Sequence, residues 1–92
     1  MLIEFDPDKN ERNIRERGLS FERADDFDFE PAFVIGDDRY AYGETRYSAI
    51  GLLAGALHVI VFTIRGDAMR VIRLRRANAR ERVRYEQATR PT

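Results

Sequence analysis

The amino-acid sequence predicts an α+β domain with the order β-α-α-β-β-β-β-α. A mainly antiparallel sheet carries two N-terminal helices packed on it and a C-terminal helix. Three observations lead there. Residues 57–65, Leu-His-Val-Ile-Val-Phe-Thr-Ile-Arg, are apolar on both alternating faces, the pattern of a central strand. Turn signals at Ala54-Gly55 and Gly66-Asp67 flank that run, so the segments on either side fold back on it as hairpins. Helix-start signals stand near both ends of the chain, at Asp6-Pro7 and at Asn78.

Taken in order, residues 2–5 form a short strand. Asp6 caps the first helix, and Pro7 occupies its first turn, where a missing N–H costs nothing. That helix runs to about Arg17 and stops at Gly18. Ser20 caps a second, short helix carrying Phe21, Ala24, Phe27 and Phe29, which Pro31 ends. Ile14, Leu19 and Phe21 are expected to staple the two helices together. Residues 33–36 are a short strand, and Asp37-Asp38-Arg39 with Gly43-Glu44 mark a polar loop. Strands follow over 45–53, 57–65 and 68–76. Asn78 and Glu81 then form a box-like cap on a helix reaching about Ala88, and Pro91 lies in a frayed tail.

With 92 residues the chain makes one domain, 1–92, with room for one small core. It has no cysteine, which excludes a disulfide framework and thiolate metal sites. The N-terminus lacks the pattern of a signal peptide and no apolar run is long enough to span a bilayer, so the cytoplasm is the expected location and no membrane partner is expected. His58 is the only histidine and reads as a structural or surface residue. The acidic run of residues 25–30 alternates with aromatics and lacks calcium-loop spacing, so neither metal nor other cofactor is expected.

Charge is sorted along the chain. Residues 1–46 carry 7 Lys+Arg against 13 Asp+Glu, and residues 47–92 carry 9 against 3, so a net charge of zero conceals a dipolar chain. Such asymmetry points to a polyanion, a charged protein partner, or both. Eight arginines fall between Arg65 and Arg84, opposed only by Asp67 and Glu81. Alternation places Arg65 with Val59, Val61 and Thr63, and Arg73 and Arg75 with Val71, so three guanidinium groups are expected to converge at one end of the sheet. Arg76, Arg80 and Arg84 follow at i, i+4 spacing as a helical stripe. Arginine presents a planar, permanently charged fork suited to phosphate. Anion binding by this sheet face is the reading; a solvated charged helix is the alternative for the stripe.

Ordered segments then carry a resemblance. Phe5-Asp6-Pro7-Asp8-Lys9, the run Asn13-Ile14-Arg15-Glu16-Arg17-Gly18-Leu19-Ser20-Phe21-Glu22, Gly43-Glu44-Thr45-Arg46-Tyr47, Ile50-Gly51, Val61-Phe62-Thr63-Ile64-Arg65-Gly66, Ile72-Arg73-Leu74-Arg75-Arg76-Ala77 and Glu81-Arg82-Val83-Arg84-Tyr85-Glu86 together resemble the BrnT toxins of bacterial type II toxin–antitoxin systems. The resemblance implies a RelE-like fold and a ribonuclease that cleaves RNA and arrests translation. It also implies neutralisation by a BrnA-type antitoxin, through which the chain would reach operator DNA. Two segments depart from the pattern. Glu16-Arg17-Gly18 stands where Lys-His-Gly is usual, and Ile72-Arg73-Leu74-Arg75 where Ile-Ser-Ala-Arg is usual.

For such a ribonuclease a metal-independent mechanism is expected, with the substrate's 2′-hydroxyl as nucleophile and cations around the phosphorane. Arg65 and Arg75 are the expected phosphate clamps, with Lys9, Arg46 and Arg80 completing the ring, and Arg73, Arg76 and Arg84 binding RNA. Glu44, Tyr85 and Lys9 are the candidates for the general base; arginines beside Glu44 would lower its pKa and weaken it in that role. Each has a plainer alternative: Lys9 pairing with Glu11 or Asp6, Arg46 pairing with Glu44, Arg80 as solvated surface, Tyr85 anchoring the last helix. A non-catalytic RNA- or antitoxin-binding module is the competing function.

Overall fold

The computed structural model describes residues 2–37 and 43–90. The middle of the polar loop expected around residues 37–44, and the tail at Pro91, lie outside them. The elements are β1 (Leu2–Glu4), α1 (Pro7–Arg17), a 3₁₀ segment (Phe21–Asp26), β2 (Phe27–Asp37), β3 (Arg46–Leu53), β4 (Ala56–Arg65), β5 (Ala68–Arg76) and α2 (Ala79–Thr89). The five strands form one sheet in the order β1-β5-β4-β3-β2. β2 to β5 are the expected antiparallel meander, whereas β1 pairs parallel to β5, so the sheet is mixed.

The caps act as the sequence indicates. The Asp6 carboxylate accepts from the N–H of Asp8 at 2.8 Å, and Gly18 ends α1 in the left-handed region at φ 70°, donating to Ile14 O. Asn78 and Glu81 form a complete capping box on α2. At the β3–β4 turn, Ala54 and Gly55 have φ of 51° and 81°, the doubly positive pair a tight hairpin needs.

The second helix is a correction. Only residues 21–26 wind, as 3₁₀, and Phe27 and Phe29 belong to β2. The run Phe27-Asp28-Phe29-Glu30 alternates in burial with period two, a strand signature that outweighs the neighbouring helix cap. Pro31 does not end a helix; it sits where residues 29–32 bulge out opposite the single residue Gly51, so its missing N–H interrupts no ladder bond. A Cβ on Gly51 would stand 2.8 Å from the Phe27 ring and 3.1 Å from the Ala32 Cβ, so only glycine lets the ring close there.

β5 carries a second bulge. Val61 pairs with Arg73 but Phe62 pairs with Val71, leaving Ile72 as the extra residue. Parity changes there. Val71 joins Leu74, Met69, Ile60, Phe62 and Ala49 on the core face with Phe21 and Ala24 of the 3₁₀ segment. Arg46, Arg65, Arg70, Arg73 and Arg75 share the other face, which α2 partly covers along β2 and β3.

α1 sits differently from expectation. Its one buried residue is Asn13, and Ile14 is exposed. The Asn13 amide donates to Leu19 O at 2.8 Å and to Leu74 O of β5 at 2.9 Å, while Asn10 Oδ1 accepts from the N–H of Phe21 at 2.7 Å. β1 pairs only with residues 68–70 of β5, and α1 packs against the remainder of that strand. Two asparagines, rather than an apolar staple, join α1 to the turn that follows and to the sheet.

Replacing Asn13 by Leu keeps the branching of the side chain but leaves two carbonyls unsatisfied. Chemical denaturation is expected to show a loss of about 2 kcal/mol or more. Gly51→Ala, which forces the Phe27 ring aside, is expected to cost about 1–3 kcal/mol in the same measurement.

Candidate nucleic-acid interface

On α1, positions 9, 12, 13, 16 and 17 fall on one stripe by helical spacing, and they bring Lys9, Arg12, Glu16 and Arg17 beside the buried Asn13. This stripe faces the bulged part of β5. Between them lies a cavity of about 390 Å³ lined by Lys9, Arg12, Asn13, Glu16, Arg17, Phe21, Arg46, Ile72 and Arg73. Five cations and one carboxylate therefore border one groove. The bulge at Ile72 has a part in this, because it sets Arg73 on the arginine face while Val71 stays in the core. Lys9, Arg12, Arg17 and Arg73 make no ion pair with a carboxylate among the described residues.

The other strand arginines are neutralised. Arg65 donates through Nε and Nη2 to both carboxylate oxygens of Glu44, at 3.1 and 2.9 Å. Arg75 grips Glu81 through Nη1 and Nη2, each at 2.8 Å. Arg70 reaches Glu4 at 3.4 Å. The Arg65 hydrogen bonds hold the Glu44 carboxyl below its ordinary range, and Arg75 does the same to Glu81. Both guanidinium groups are correspondingly raised.

The convergence expected of Arg65, Arg73 and Arg75 is thus a correction. They share a face, but Arg65 lies opposite Ala68 at the turn and Arg75 opposite Val59, six residues further along, or about 20 Å at the rise of a strand. Each is also held in a bidentate carboxylate pair, so no joint clamp forms. Arg46 lines the groove at the start of β3, and its charge adds to that of Arg65 in lowering the Glu44 carboxyl. Arg76 ends β5 and so cannot share a helical stripe with Arg80 and Arg84, since Asn78 caps α2 only after it. Arg80 is exposed in the first turn of α2. Arg84 stacks over the Phe33 ring at 5.6 Å, pinning α2 to β2. Tyr85 is half-buried beside Leu52 and Leu57, away from the groove.

Lys9, Arg46 and Arg73 are the expected site residues that the fold brings together. Arg12, Glu16 and Arg17 were not legible as site residues from composition, but their signal was present. They sit one and two turns after Lys9 on a helix with almost no apolar face. His58 is buried, with Nδ1 2.8 Å from Ala56 O, and the described residues contain no cluster of three or more ligating side chains.

Comparison with known proteins bears on this arrangement. The family model described as ribonuclease toxin, BrnT, of type II toxin–antitoxin system matches residues 5–81. The fold is similar to the 1.1 Å crystal structure of the Brucella abortus ribonuclease toxin, BrnT, with a TM-score of 0.69 and 29% identity. That alignment covers 85% of this chain and 97% of the Brucella chain. No curated protein sequence matches. No helix among the described residues is long and apolar enough to cross a membrane.

The two carboxylate pairs make a pH prediction. A carboxyl whose folded pKa is depressed contributes stability that is complete above its unfolded value, ordinarily 4.5 for these glutamates, and lost as pH falls through the lower folded value. Thermal melts are expected to hold level on acidification until pH passes below the ordinary carboxylate range, and then to fall. Glu81→Gln is expected to lower the melting temperature at neutral pH and to shrink that acid-side loss.

Proposed function

The chain belongs to the BrnT family of ribonuclease toxins of type II toxin–antitoxin systems, and on that premise we propose that RNA lies in the groove of Lys9, Arg12, Arg17, Arg46 and Arg73. One observation carries this reading. Among the described residues, Lys9, Arg12, Arg17 and Arg73 border the groove without carboxylate partners, while Arg65, Arg70 and Arg75 are neutralised by carboxylates of this chain. Unpaired like charges around one cavity repel one another, and a bound phosphate relieves that repulsion.

The chemistry assigned to the groove needs no metal. The 2′-oxygen attacks the adjacent phosphorus, the bond to the 5′-oxygen breaks, and a 2′,3′-cyclic phosphate and a 5′-hydroxyl result. Glu16, the carboxylate bordering the groove, takes the 2′-hydroxyl proton, and Lys9 supplies one to the leaving oxygen. Arg12, Arg17, Arg46 and Arg73 stabilise the dianionic phosphorane, each by about 2–4 kcal/mol where water is excluded. Glu44 suits the base role poorly, since Arg65 holds it ionised and doubly occupied. Arg65 and Arg75 are given a supporting role, fixing residue 44 and the start of α2. Arg76 and Arg80 meet flanking nucleotides only. Neutralisation by a BrnA-type antitoxin, operator binding through that antitoxin, and action in the cytoplasm complete the reading.

Purified protein incubated with a defined RNA in EDTA is expected to yield 2′,3′-cyclic phosphate ends. Arg73→Ala and Lys9→Ala are each expected to lower kcat/KM by about 30-fold or more, and Glu16→Gln to lower kcat with RNA affinity retained. Arg65→Ala is expected to change cleavage far less than Arg73→Ala. The reverse ranking would remove the groove from the mechanism, and 3′-hydroxyl product ends would remove the chemistry.

A further inference from the structure

The sheet face opposite the arginines is only partly covered. The 3₁₀ segment packs against β5 and β1, and beside it a cavity of about 430 Å³ is lined by Ile3, Phe27, Phe29, Phe62, Ile64 and Met69. Its wall is mainly apolar, and its one charged lining residue is Asp25. Ile64 is 41% exposed there. A second cavity shares Ile3 and Asp25 and adds Leu2, 69% exposed, with Glu22 at its edge. No cation lines either cavity among the described residues. The two surfaces thus differ in charge: cations border the groove at α1, and carboxylates border this apolar face.

An open sheet face is ordinarily covered by a helix laid across it. We propose that this face is the docking surface for an amphipathic helix of the antitoxin, one that presents apolar side chains flanked by lysine or arginine. The apolar side chains would enter between Phe29, Phe62 and Ile64, and the flanking cations would meet Asp25 and Glu22. Charge complementarity selects this occupant. An RNA would be repelled by the carboxylate rim, and a second copy of this chain offers no helix that is both apolar and basic, since α1 and α2 have almost no apolar face. The surface lies across the sheet from the arginines, so the antitoxin need not compete with RNA for the same side chains. The proposal rests on the chain being a type II toxin with a protein antitoxin, and its test is separate from that of the groove.

The experiment takes the protein encoded beside this chain's gene as the probe and measures its binding to the full chain by calorimetry. Ile64→Glu and Asp25→Arg are both surface changes outside the groove. Each is expected to weaken binding at least tenfold, while the melting temperature and RNA cleavage of the free chain stay as in the parent. Arg73→Ala is expected to leave that binding within about threefold of the parent. Parental binding by both Ile64→Glu and Asp25→Arg, or no binding to the parent chain, would overturn the proposal. So would a dimeric parent that Ile64→Glu converts to a monomer, which would identify the face as a contact between copies. Loss of RNA cleavage in the groove variants, with antitoxin binding retained, would support the groove and leave this surface standing on its own result.

Discussion

The buried amide of Asn13 holds the arrangement together. Its two N–H groups reach carbonyls 61 and 6 residues away, Leu74 on β5 and Leu19 in the turn after α1. A helix with so little apolar surface has no large hydrophobic term to fix its position. Two directional hydrogen bonds in a buried setting do so instead, because breaking them leaves carbonyls without partners. The register of α1 against β5 follows from that contact. So does the placement of Lys9, Arg12, Glu16 and Arg17, which share the Asn13 stripe and therefore face the same groove.

Backbone irregularities perform the second part of the placement. A regular β5 would put Val71, Arg73 and Arg75 on one side. The bulge at Ile72 returns Val71 to the core and sets Arg73 and Arg75 on the arginine face, so a single extra residue reconciles a hydrophobic strand with a charged surface. The wider bulge in β2 lets the Phe27 and Phe29 rings stand 4.6 Å apart at the core margin, with the Phe27 ring packed over Gly51. The sheet then has two chemically distinct sides, one apolar and edged with carboxylates, the other rich in arginine.

Arginine count and arginine availability are different quantities. Arg65 and Arg75 head the basic run in the sequence, yet each forms two short bonds with one carboxylate and has few donors left for a phosphate. Glu81 serves the α2 cap and Arg75 together, which ties the end of β5 to the start of α2. Around the groove, Lys9, Arg12, Arg17 and Arg73 have no such partner among the described residues. Arg17 and Arg73 both border it.

Local chemistry fixed much of this molecule. The caps at Asp6, Ser20 and Asn78, the stop at Gly18, the two hairpin turns and the central strand all depend on neighbours within a few residues, and each was legible in the amino-acid order. The ordered motifs likewise sufficed to indicate the family. Long-range pairing decided the rest. The parallel seat of β1 beside β5, the Ile72 bulge that changes parity, and the carboxylates from distant segments that occupy Arg65 and Arg75 all involve residues that alternation along one strand cannot relate. Side-chain direction within a strand is a local property. Which guanidinium groups remain available depends on which charges the folded chain brings within 3 Å or so of them, and only tertiary contact sets that distance.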